Sequence, residues 1–259
     1  MALQAGQLDE AYLQLTQAVD LLDHLGRAGG QPRHLNLAIA HMNLSSTCAQ
    51  LGRHDEALEE NERALANLDA LGDEPTARFM QVASLQARGM LLATAGEPGP
   101  AITLYDRAID LAETLLTEED APEELPELLT QVRITASVTR FEAGRPDQAR
   151  AQARAAASEA WDRYEVTGTP QAVDQYLTSE MNLVTFCEAA ADYAGAEDAL
   201  FRVLKLVGPQ PEVLARGRQL YQALERLEDD ALRAGNLPRD EVEESLAEIE
   251  RMISETAHA

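Results

Sequence analysis

The residues that could perform nucleophilic or acid–base chemistry are few in this sequence and lie far apart. Cys48 and His41 are the nearest candidate nucleophile and base, but on one helix their backbones would be separated by about 10.5 Å. A direct nucleophile–base pair needs about 3 Å between side-chain atoms. The acidic run 241–250 is typical of a solvated helix face rather than of paired catalytic carboxylates. We therefore predict no catalytic residue and no enzymatic activity.

The cysteines and histidines also lack the spacing of a metal site. Cys48 and Cys187 are 139 residues apart, which argues against a disulfide framework and a metal-ligand cluster. Among the histidines at positions 24, 34, 41 and 54, no two are three or four residues apart on one helix. The stretch Gly96–Gly99 belongs to a turn and is not a phosphate-binding loop. We expect no metal, no cofactor, and two cysteines that serve as small buried apolar residues.

The net charge restricts the class of partner. Acidic residues outnumber basic ones by 45 to 21, which gives a formal charge of −24. This charge repels a nucleic-acid backbone and an anionic membrane surface, so we expect neither as a partner. Basic or neutral proteins and peptides fit better.

The composition also predicts the cellular setting. The sequence contains no run of about 18 apolar residues and no signal-peptide pattern, so we expect a cytoplasmic protein. Lys205 is the only lysine in a chain rich in alanine, arginine and glutamate. Such a composition is typical of a GC-rich, bacterial genome.

The elements that would position these residues are helices joined by a recurring turn. The stretch Leu51–Ala57 combines a glycine that ends one helix, an aspartate that caps the next, and a small alanine that allows close helix crossing. Diverged copies close at Ala11, Ala57, Ala101, Ala149 and Ala196, with spacings of 46, 44, 48 and 47 residues. A fixed period of this size is typical of stacked helical repeats. The sequence predicts an all-α solenoid without strands.

We predict about 11 helices in antiparallel pairs. The repeats cover residues 1–26 (a partial first unit), 33–71, 77–116, 127–164 and 171–207, and residues 208–259 form a degenerate C-terminal pair that acts as a cap. In the first unit, a turn at Ala5–Ala11 precedes a helix that ends near His24. In the cap, we expect one long helix at 212–234 and an acidic helix at 240–254. Because almost nothing precedes the first turn, we expect either a lost partner helix or a longer parent chain.

These units resemble the tetratricopeptide repeat (TPR) family over about residues 5–207. The best copy has Leu44, Ser45, Gly52, Ala57 and Ala64, and the next has Gly89, Gly96, Ala101, Tyr105 and Ala108. The resemblance implies a right-handed superhelix of antiparallel helix pairs. The helices are longer than the family's period of about 34 residues allows, which is similar to kinesin light chains and to sensor regions of bacterial signalling ATPases and transcription activators. The family's usual aromatic residue is replaced in the four full copies by His41, Leu85, Arg133 and Glu180.

The resemblance also implies that a peptide or protein segment binds in a groove lined by the first helix of each pair. Projected onto this sequence, the groove positions are Met42, Ser46, Gln50, Gln86, Met90, Thr94, Ile134, Val138, Phe141, Met181 and Thr185. This lining is apolar and rich in methionine, with neutral polar residues between, and it suits partners of varied shape. The alternative is that the long helices close the groove, so that these side chains pack against one another.

Two arginines form a second candidate site. Arg133 and Arg140 lie two turns apart on one helix face, where the repeat pattern expects apolar residues. Arginine binds carboxylate and phosphate through two parallel N–H groups, so the pair is a candidate anion-binding site. The alternative is ion pairing with glutamates of neighbouring helices. Asn43 and Asn182 match asparagines of the family's clamp for peptide C-termini, but no lysine accompanies them, so we do not expect recognition of chaperone tails.

Three functions follow from these patterns. The first is a protein-interaction scaffold or adaptor that binds a peptide or protein segment in the groove, within a larger bacterial regulatory protein. The second is self-assembly, as a homodimer, through the open N-terminal repeat. The third is a sensor of a small anionic ligand at Arg133 and Arg140.

Overall fold

The computed structural model describes residues 2–27 and 33–256, and all regular secondary structure within them is α-helical. The helices are α1 (Ala2–Arg27), α2 (His34–Gln50), α3 (His54–Asp69), α4 (Pro75–Thr94), α5 (Pro98–Leu115), α6 (Leu125–Glu142), α7 (Pro146–Thr167), α8 (Pro170–Ala189), α9 (Tyr193–Val207), α10 (Pro211–Leu224), α11 (Asp229–Ala234) and α12 (Arg239–Thr256). The predicted all-α fold is confirmed, and the described residues contain one helix more than the predicted number.

The chain divides into two compact units. Unit 1 is Met1–Thr135 and unit 2 is Ala136–Ala259, so the division falls inside α6. We call the first helix of each repeat (α2, α4, α6 and α8) an A helix and the second (α3, α5, α7 and α9) a B helix. The predicted boundaries of the single repeats and of the C-terminal cap stay predictions.

The A and B helices of a repeat run antiparallel. In the first full repeat, His34 near the start of α2 contacts Asn67 near the end of α3, with 3.0 Å between Nδ1 and Oδ1. Further along α2, the Ser45 hydroxyl donates to the Ala57 carbonyl at 2.7 Å, near the start of α3. Contacts that advance along one helix while they recede along the other define an antiparallel pair.

The turns inside the repeats require a left-handed backbone. Gly52, Gly96 and Gly144 have φ values of 74°, 81° and 72°, which glycine adopts without steric cost. In the fourth repeat the equivalent residue is Ala191, and it also has a positive φ, of 55°. The sequence pattern of the turn therefore corresponds to one backbone conformation, which three glycines adopt freely and one alanine adopts under strain.

The predicted turn in the first repeat was wrong. Gly6 lies inside α1, which runs without a break from Ala2 to Arg27. A glycine inside a helix costs only about 1 kcal/mol relative to alanine. Tyr12 and Leu15 on the same helix pack against a buried cluster that includes Cys48.

The predicted long helix at 212–234 was also wrong, because α10 ends at Leu224 and α11 begins at Asp229. The Arg239 guanidinium donates to the Glu225 carbonyl at 2.9 Å and also to the Leu227 carbonyl. These bonds satisfy carbonyl groups that a continuous helix would have satisfied itself. The break lets Leu232 pack fully buried in the core of unit 2.

Pairs that contain a glutamate occupy three of the positions where the family usually has an aromatic residue, and Arg133 with Glu113 on α5 is one of them. In α2, buried His41 lies 2.6 Å from Glu60 (Nδ1 to Oε2). In α8, the buried Glu180 carboxylate accepts two hydrogen bonds of 2.9 Å from Arg202 on α9. A buried charge is tolerated when it is paired in this way. His41 is therefore bonded to an acid and not to Cys48.

Both cysteines are free and buried, as the sequence predicted. Burial raises the pKa of the Cys48 thiol and of the Cys187 thiol above the ordinary value. A thiol with a raised pKa is protonated at neutral pH and is a poor nucleophile. Both residues therefore act as small apolar side chains in the structure.

Candidate functional site

A cleft of about 660 Å³ lies between the A helices α2 and α4 of unit 1, and we call it the α2/α4 cleft. Five of the predicted groove residues line it: Met42, Ser46, Gln50, Met90 and Thr94. The helical period explains why they meet, since residues four apart lie on one face of a helix. The three residues from α2 form one wall and the two from α4 form the other.

The cleft presents apolar and neutral polar side chains to solvent. Met90 is 49% exposed, and Ser46, Gln50 and Thr94 are also exposed, while Met42 is half-buried. Gln50 donates from Nε2 to the Ser46 hydroxyl at 3.3 Å, so the polar groups on α2 are connected. An exposed methionine between amides and hydroxyls can contact both apolar side chains and the backbone of a ligand.

The floor of the cleft is fixed by the B helix α3. Asn61 is 1% exposed, and its Nδ2 donates to the Ser84 carbonyl of α4 at 3.1 Å. Together with the hydrogen bond from Ser45 to Ala57, this contact sets the spacing of α2 and α4 through α3.

Asn61 also contains a buried acceptor atom beneath the cleft. Its Oδ1 receives no hydrogen bond from any group in the described part of the protein. A buried acceptor left unpaired costs about 1–3 kcal/mol, so Asn61 fixes the floor of the cleft through its Nδ2 group and at some cost in stability.

The groove positions projected from the resemblance did not include several residues that line the cleft, namely Asn43, Ser45, Ala49, His54, Asn61, Ala87 and Leu91. Asn61 lies on a B helix, and the groove positions implied by the family come only from A helices. The repeat period of 44 to 48 residues carries no signal that a B-helix amide reaches the floor. The A-helix residues adjacent to the predicted ones could have been found by assigning to the groove a wider sector of each A helix than the projected positions cover.

Two other predicted groove residues of unit 1 do not line the α2/α4 cleft. Gln86 is 9% exposed, and its Nε2 donates to the Thr135 hydroxyl at 3.4 Å. Ile134 on α6 is 6% exposed. Both side chains are therefore directed into packed or hydrogen-bonded surroundings.

The predicted groove residues of unit 2 lie in a packed environment. The ring of Phe141 stacks on that of Phe186, with 4.6 Å between ring centroids and 29° between planes. Val138 packs against the core of the unit, and Met181 is half-buried. Thr185 is exposed, and its hydroxyl donates to the Met181 carbonyl at 3.4 Å. Most of these residues therefore pack against neighbouring side chains, which is the alternative to an open groove that the sequence analysis left open.

The candidate anion-binding arginines are both buried. Arg133 is 8% exposed and pairs with Glu113 on α5, while Arg140 is 4% exposed. An ion pair with a glutamate of a neighbouring helix is the alternative to anion binding that the sequence analysis stated. Ligand binding by this pair stays a prediction.

The described residues contain no cluster of three histidine, cysteine or carboxylate side chains suited to hold a metal ion. In the same part of the chain, no helix has the length and apolar character needed to span a bilayer.

The sequence of the C-terminal half matches a known family model. The model, described as a family of unknown function (DUF6483), matches residues 104–254, which is more than half of the chain. The chain belongs to the DUF6483 family. Within this DUF6483 protein, the α2/α4 cleft precedes the matched residues, whereas helices α6 to α11 lie inside them. No curated protein matches the sequence.

Solved structures identify the fold of this DUF6483 protein. The crystal structure of BtubC (BKLC) from P. vanneervenii aligns with a TM-score of 0.61 at 13% identity, over 97% of this chain and 93% of that chain. A putative kinesin light chain from Podospora anserina, with nearly identical TPR-like repeats, aligns with a TM-score of 0.57 at 16% identity, over 85% of this chain and 96% of that chain. At these identities the likeness concerns the fold alone. The predicted TPR-like repeat fold is confirmed.

Proposed function

We propose that this protein is a non-enzymatic protein-interaction scaffold and that the α2/α4 cleft binds a peptide segment of its partner. TPR-like repeats in general suggest a protein-interaction scaffold. The observation that carries the proposal is that five groove positions implied by the family resemblance line one open cleft, with Met90 49% exposed at its wall.

The chemistry of the cleft indicates what kind of segment it takes. Among its lining residues, only His54 can carry a charge. Anchoring would therefore come from an apolar side chain between Met42 and Met90, and orientation from hydrogen bonds between the peptide backbone and the side chains of Asn43 and Gln50. The formal charge of −24 disfavours an acidic partner and a nucleic acid.

The proposal includes a cellular setting. An arginine-rich chain with a single lysine is typical of GC-rich bacterial genomes. We propose a cytoplasmic scaffold within a larger bacterial regulatory protein.

The test is selection of peptides from a displayed random library on the immobilised wild-type protein, followed by affinity measurement with two variants. Met90→Glu places a charge in an otherwise uncharged wall, and we expect it to weaken binding of the selected peptides at least about tenfold. Leu116→Glu is the matched control, because Leu116 belongs to the same unit, is 38% exposed and does not line the cleft. The control should bind like the wild type.

Circular dichroism of both variants ensures that the comparison concerns folded protein. Equal binding by Met90→Glu and the wild type would refute the cleft as the site. Loss of helicity in Met90→Glu alone would show that Met90 supports the fold, and Ser46→Arg would then test the opposite wall.

A second candidate function, self-association through α1, is favoured by the surface of that helix. Leu13, Leu21 and Leu25 are 57%, 58% and 41% exposed. An exposed apolar face on one helix is a feature of surfaces that associate. Analytical ultracentrifugation should detect a concentration-dependent dimer that Leu13→Glu and Leu21→Glu abolish. Leu15 is unsuitable for this test because it packs inward on the cluster around Leu44.

A further inference from the structure

The B-helix side of each unit carries a cleft at the same place in the repeat. In unit 1 the cleft lies among α3, α4 and α5, and in unit 2 it lies among α7, α8 and α9; each has a volume of about 740 Å³. We call them the α3/α4/α5 cleft and the α7/α8/α9 cleft. Ala57 and Ala149 close equivalent turns, as do Ala101 and Ala196. We aligned the helices of the two units on these pairs of alanines. In this alignment, every residue that lines the α7/α8/α9 cleft corresponds to a residue that lines the α3/α4/α5 cleft.

The two clefts share a position but differ in charge. At equivalent positions, Glu62 of unit 1 corresponds to Arg154 of unit 2, and Asp110 corresponds to Lys205. A third acid, Asp69, corresponds to Trp161. The only lysine and the only tryptophan of the chain therefore lie in the same cleft.

The cations of the α7/α8/α9 cleft differ in how fully they are engaged. Arg202 is bound through two hydrogen bonds to Glu180. Arg154 is more than half exposed and shares the Asp192 carboxylate with Arg150. Lys205 is exposed and forms no ion pair within 4.0 Å in the described part of the chain. In a protein with a charge of −24, this unpaired ammonium group at an apolar cleft favours an anionic ligand.

Aromatic rings form the apolar wall of this cleft. The Trp161 ring lies 5.0 Å from the Tyr176 ring, at an interplanar angle of 51°. The indole N–H donates to the Glu165 carboxylate at 3.0 Å, so the polar edge of the ring already has a partner. Burial raises the pKa of the Tyr176 hydroxyl to about 12, so that hydroxyl is neutral. An indole face beside Leu206 suits a flat apolar group.

We propose that the α7/α8/α9 cleft binds a small organic monocarboxylate, with its apolar body against Trp161 and its carboxylate at Lys205 and Arg154. The volume lies within the range of about 300–1,000 Å³ typical of small-molecule sites. One unpaired cation matches one negative charge, and the buried Glu180 disfavours a second one. This site is independent of the α2/α4 cleft and differs from the predicted site at Arg133 and Arg140.

The first test uses Trp161 itself, since its fluorescence reports on this cleft alone. The probes are 3-phenylpropionate and 4-phenylbutyrate, and the control is the neutral amide 3-phenylpropionamide at the same ionic strength. We expect a saturable change in emission with the carboxylates and about tenfold weaker binding of the amide. Absence of a saturable change with both carboxylates, or equal binding of acid and amide, would overturn the proposal.

The second test separates the local cation from the net charge. Lys205→Asp places in unit 2 the residue that unit 1 has at the equivalent position, and Asp110→Lys does the reverse. The double variant carries both changes, so its net charge equals that of the wild type. We expect about tenfold weaker binding in Lys205→Asp and in the double variant, and unchanged binding in Asp110→Lys.

Two further variants complete the comparison. Lys205→Met removes the charge without adding an acid, and it should weaken binding less than Lys205→Asp does. Arg133→Ala should leave the titration unchanged, because Arg133 lies in unit 1 and does not line this cleft. Wild-type affinity in the folded Lys205→Asp and Lys205→Met variants, or loss of binding in Arg133→Ala alone, would refute the assignment.

Discussion

Units 1 and 2 are built on the same repeat but differ in the side chains on both sides of it. Between its A helices, unit 1 has the open α2/α4 cleft, whose walls include Ala49 and Leu91. At the equivalent positions unit 2 has Phe141 and Phe186, whose rings stack on one another. On the B-helix side the difference concerns charge, with Asp110 in unit 1 and Lys205 in unit 2. A repeat frame can thus stay constant while a few side chains decide which surface is open and what charge it carries.

The interiors of the two units differ as well. In unit 1, Gly89 faces the ring of Tyr105, and a β-carbon built on Gly89 would lie 2.6 Å from Cε1 of that ring. At the equivalent positions unit 2 has Val184 and Leu200, both fully buried. Unit 1 thus pairs a small residue with a large one, and unit 2 pairs two residues of medium size. The two facing helices therefore contribute different shares of side-chain volume in the two units.

The largest expected effect on stability comes from placing one residue of the unit 2 pair at the equivalent position in unit 1. Gly89→Val forces branched carbons into the Tyr105 ring, and we expect a loss of about 3 kcal/mol in the free energy of unfolding. Tyr105→Leu alone leaves a cavity and should cost about 2 kcal/mol. The double variant copies unit 2 and should be more stable than the sum of the single losses implies. Urea denaturation followed by circular dichroism measures all three, and strictly additive losses would contradict the compensation.

The next effect concerns Glu180, a buried acid of unit 2 whose equivalent position in unit 1 is occupied by Leu85. Arg202→Ala leaves Glu180 buried without its partner, and we expect a loss of about 2 kcal/mol in the free energy of unfolding. This value is below that of a fully buried pair because the Arg202 side chain is 46% exposed. Denaturation monitored by Trp161 fluorescence follows unit 2 directly.

The control for this variant is Arg107→Ala at the equivalent position of unit 1, where Leu85 replaces the acid. It should change stability by no more than about 0.5 kcal/mol. Glu180→Leu combined with Arg202→Ala should recover most of the loss. Equal losses in the two alanine variants would show that the ion pair does not distinguish the units.

The smallest effect sharpens the comparison of the repeat turns. Ala191 holds a φ of 55° where the other repeats have glycine, and a left-handed residue with a side chain costs about 1 kcal/mol. Ala191→Gly should therefore raise the free energy of unfolding by about 1 kcal/mol, and Gly144→Ala should lower it by a similar amount. Thermal unfolding of both variants provides the measurement. A lower stability of Ala191→Gly than of the wild type would contradict the inference that Ala191 is strained.

Much of the frame could be predicted from local patterns. Gly52 and its equivalents mark the turns because a positive φ is a property of a single residue. The turn predicted at Gly6 and the single helix predicted at 212–234 were wrong, because in both places packing decided between two acceptable local conformations. Gly6 is accommodated inside the continuous α1, and Leu232 on the separate α11 lies fully buried in the core of unit 2.

The candidate sites could be predicted only in part. The resemblance implies Met42 and Met90 as groove residues, and the structure brings them to one cleft. It could not reveal that Asn61 forms the floor, since that residue acts through a carbonyl 23 residues further along the chain. The α7/α8/α9 cleft was missed because Lys205 and Trp161 are isolated in the sequence and meet only when α7, α8 and α9 pack together.

By itself, the sequence determined the helical repeat and the register of its turns, because each depends on spacing along one chain segment. The tertiary structure alone decided which equivalent positions are open, which acid pairs with which arginine, and where the single lysine lies relative to the single tryptophan. Those outcomes depend on side-chain volume and on distances between helices, and neither quantity is contained in the period of the repeat.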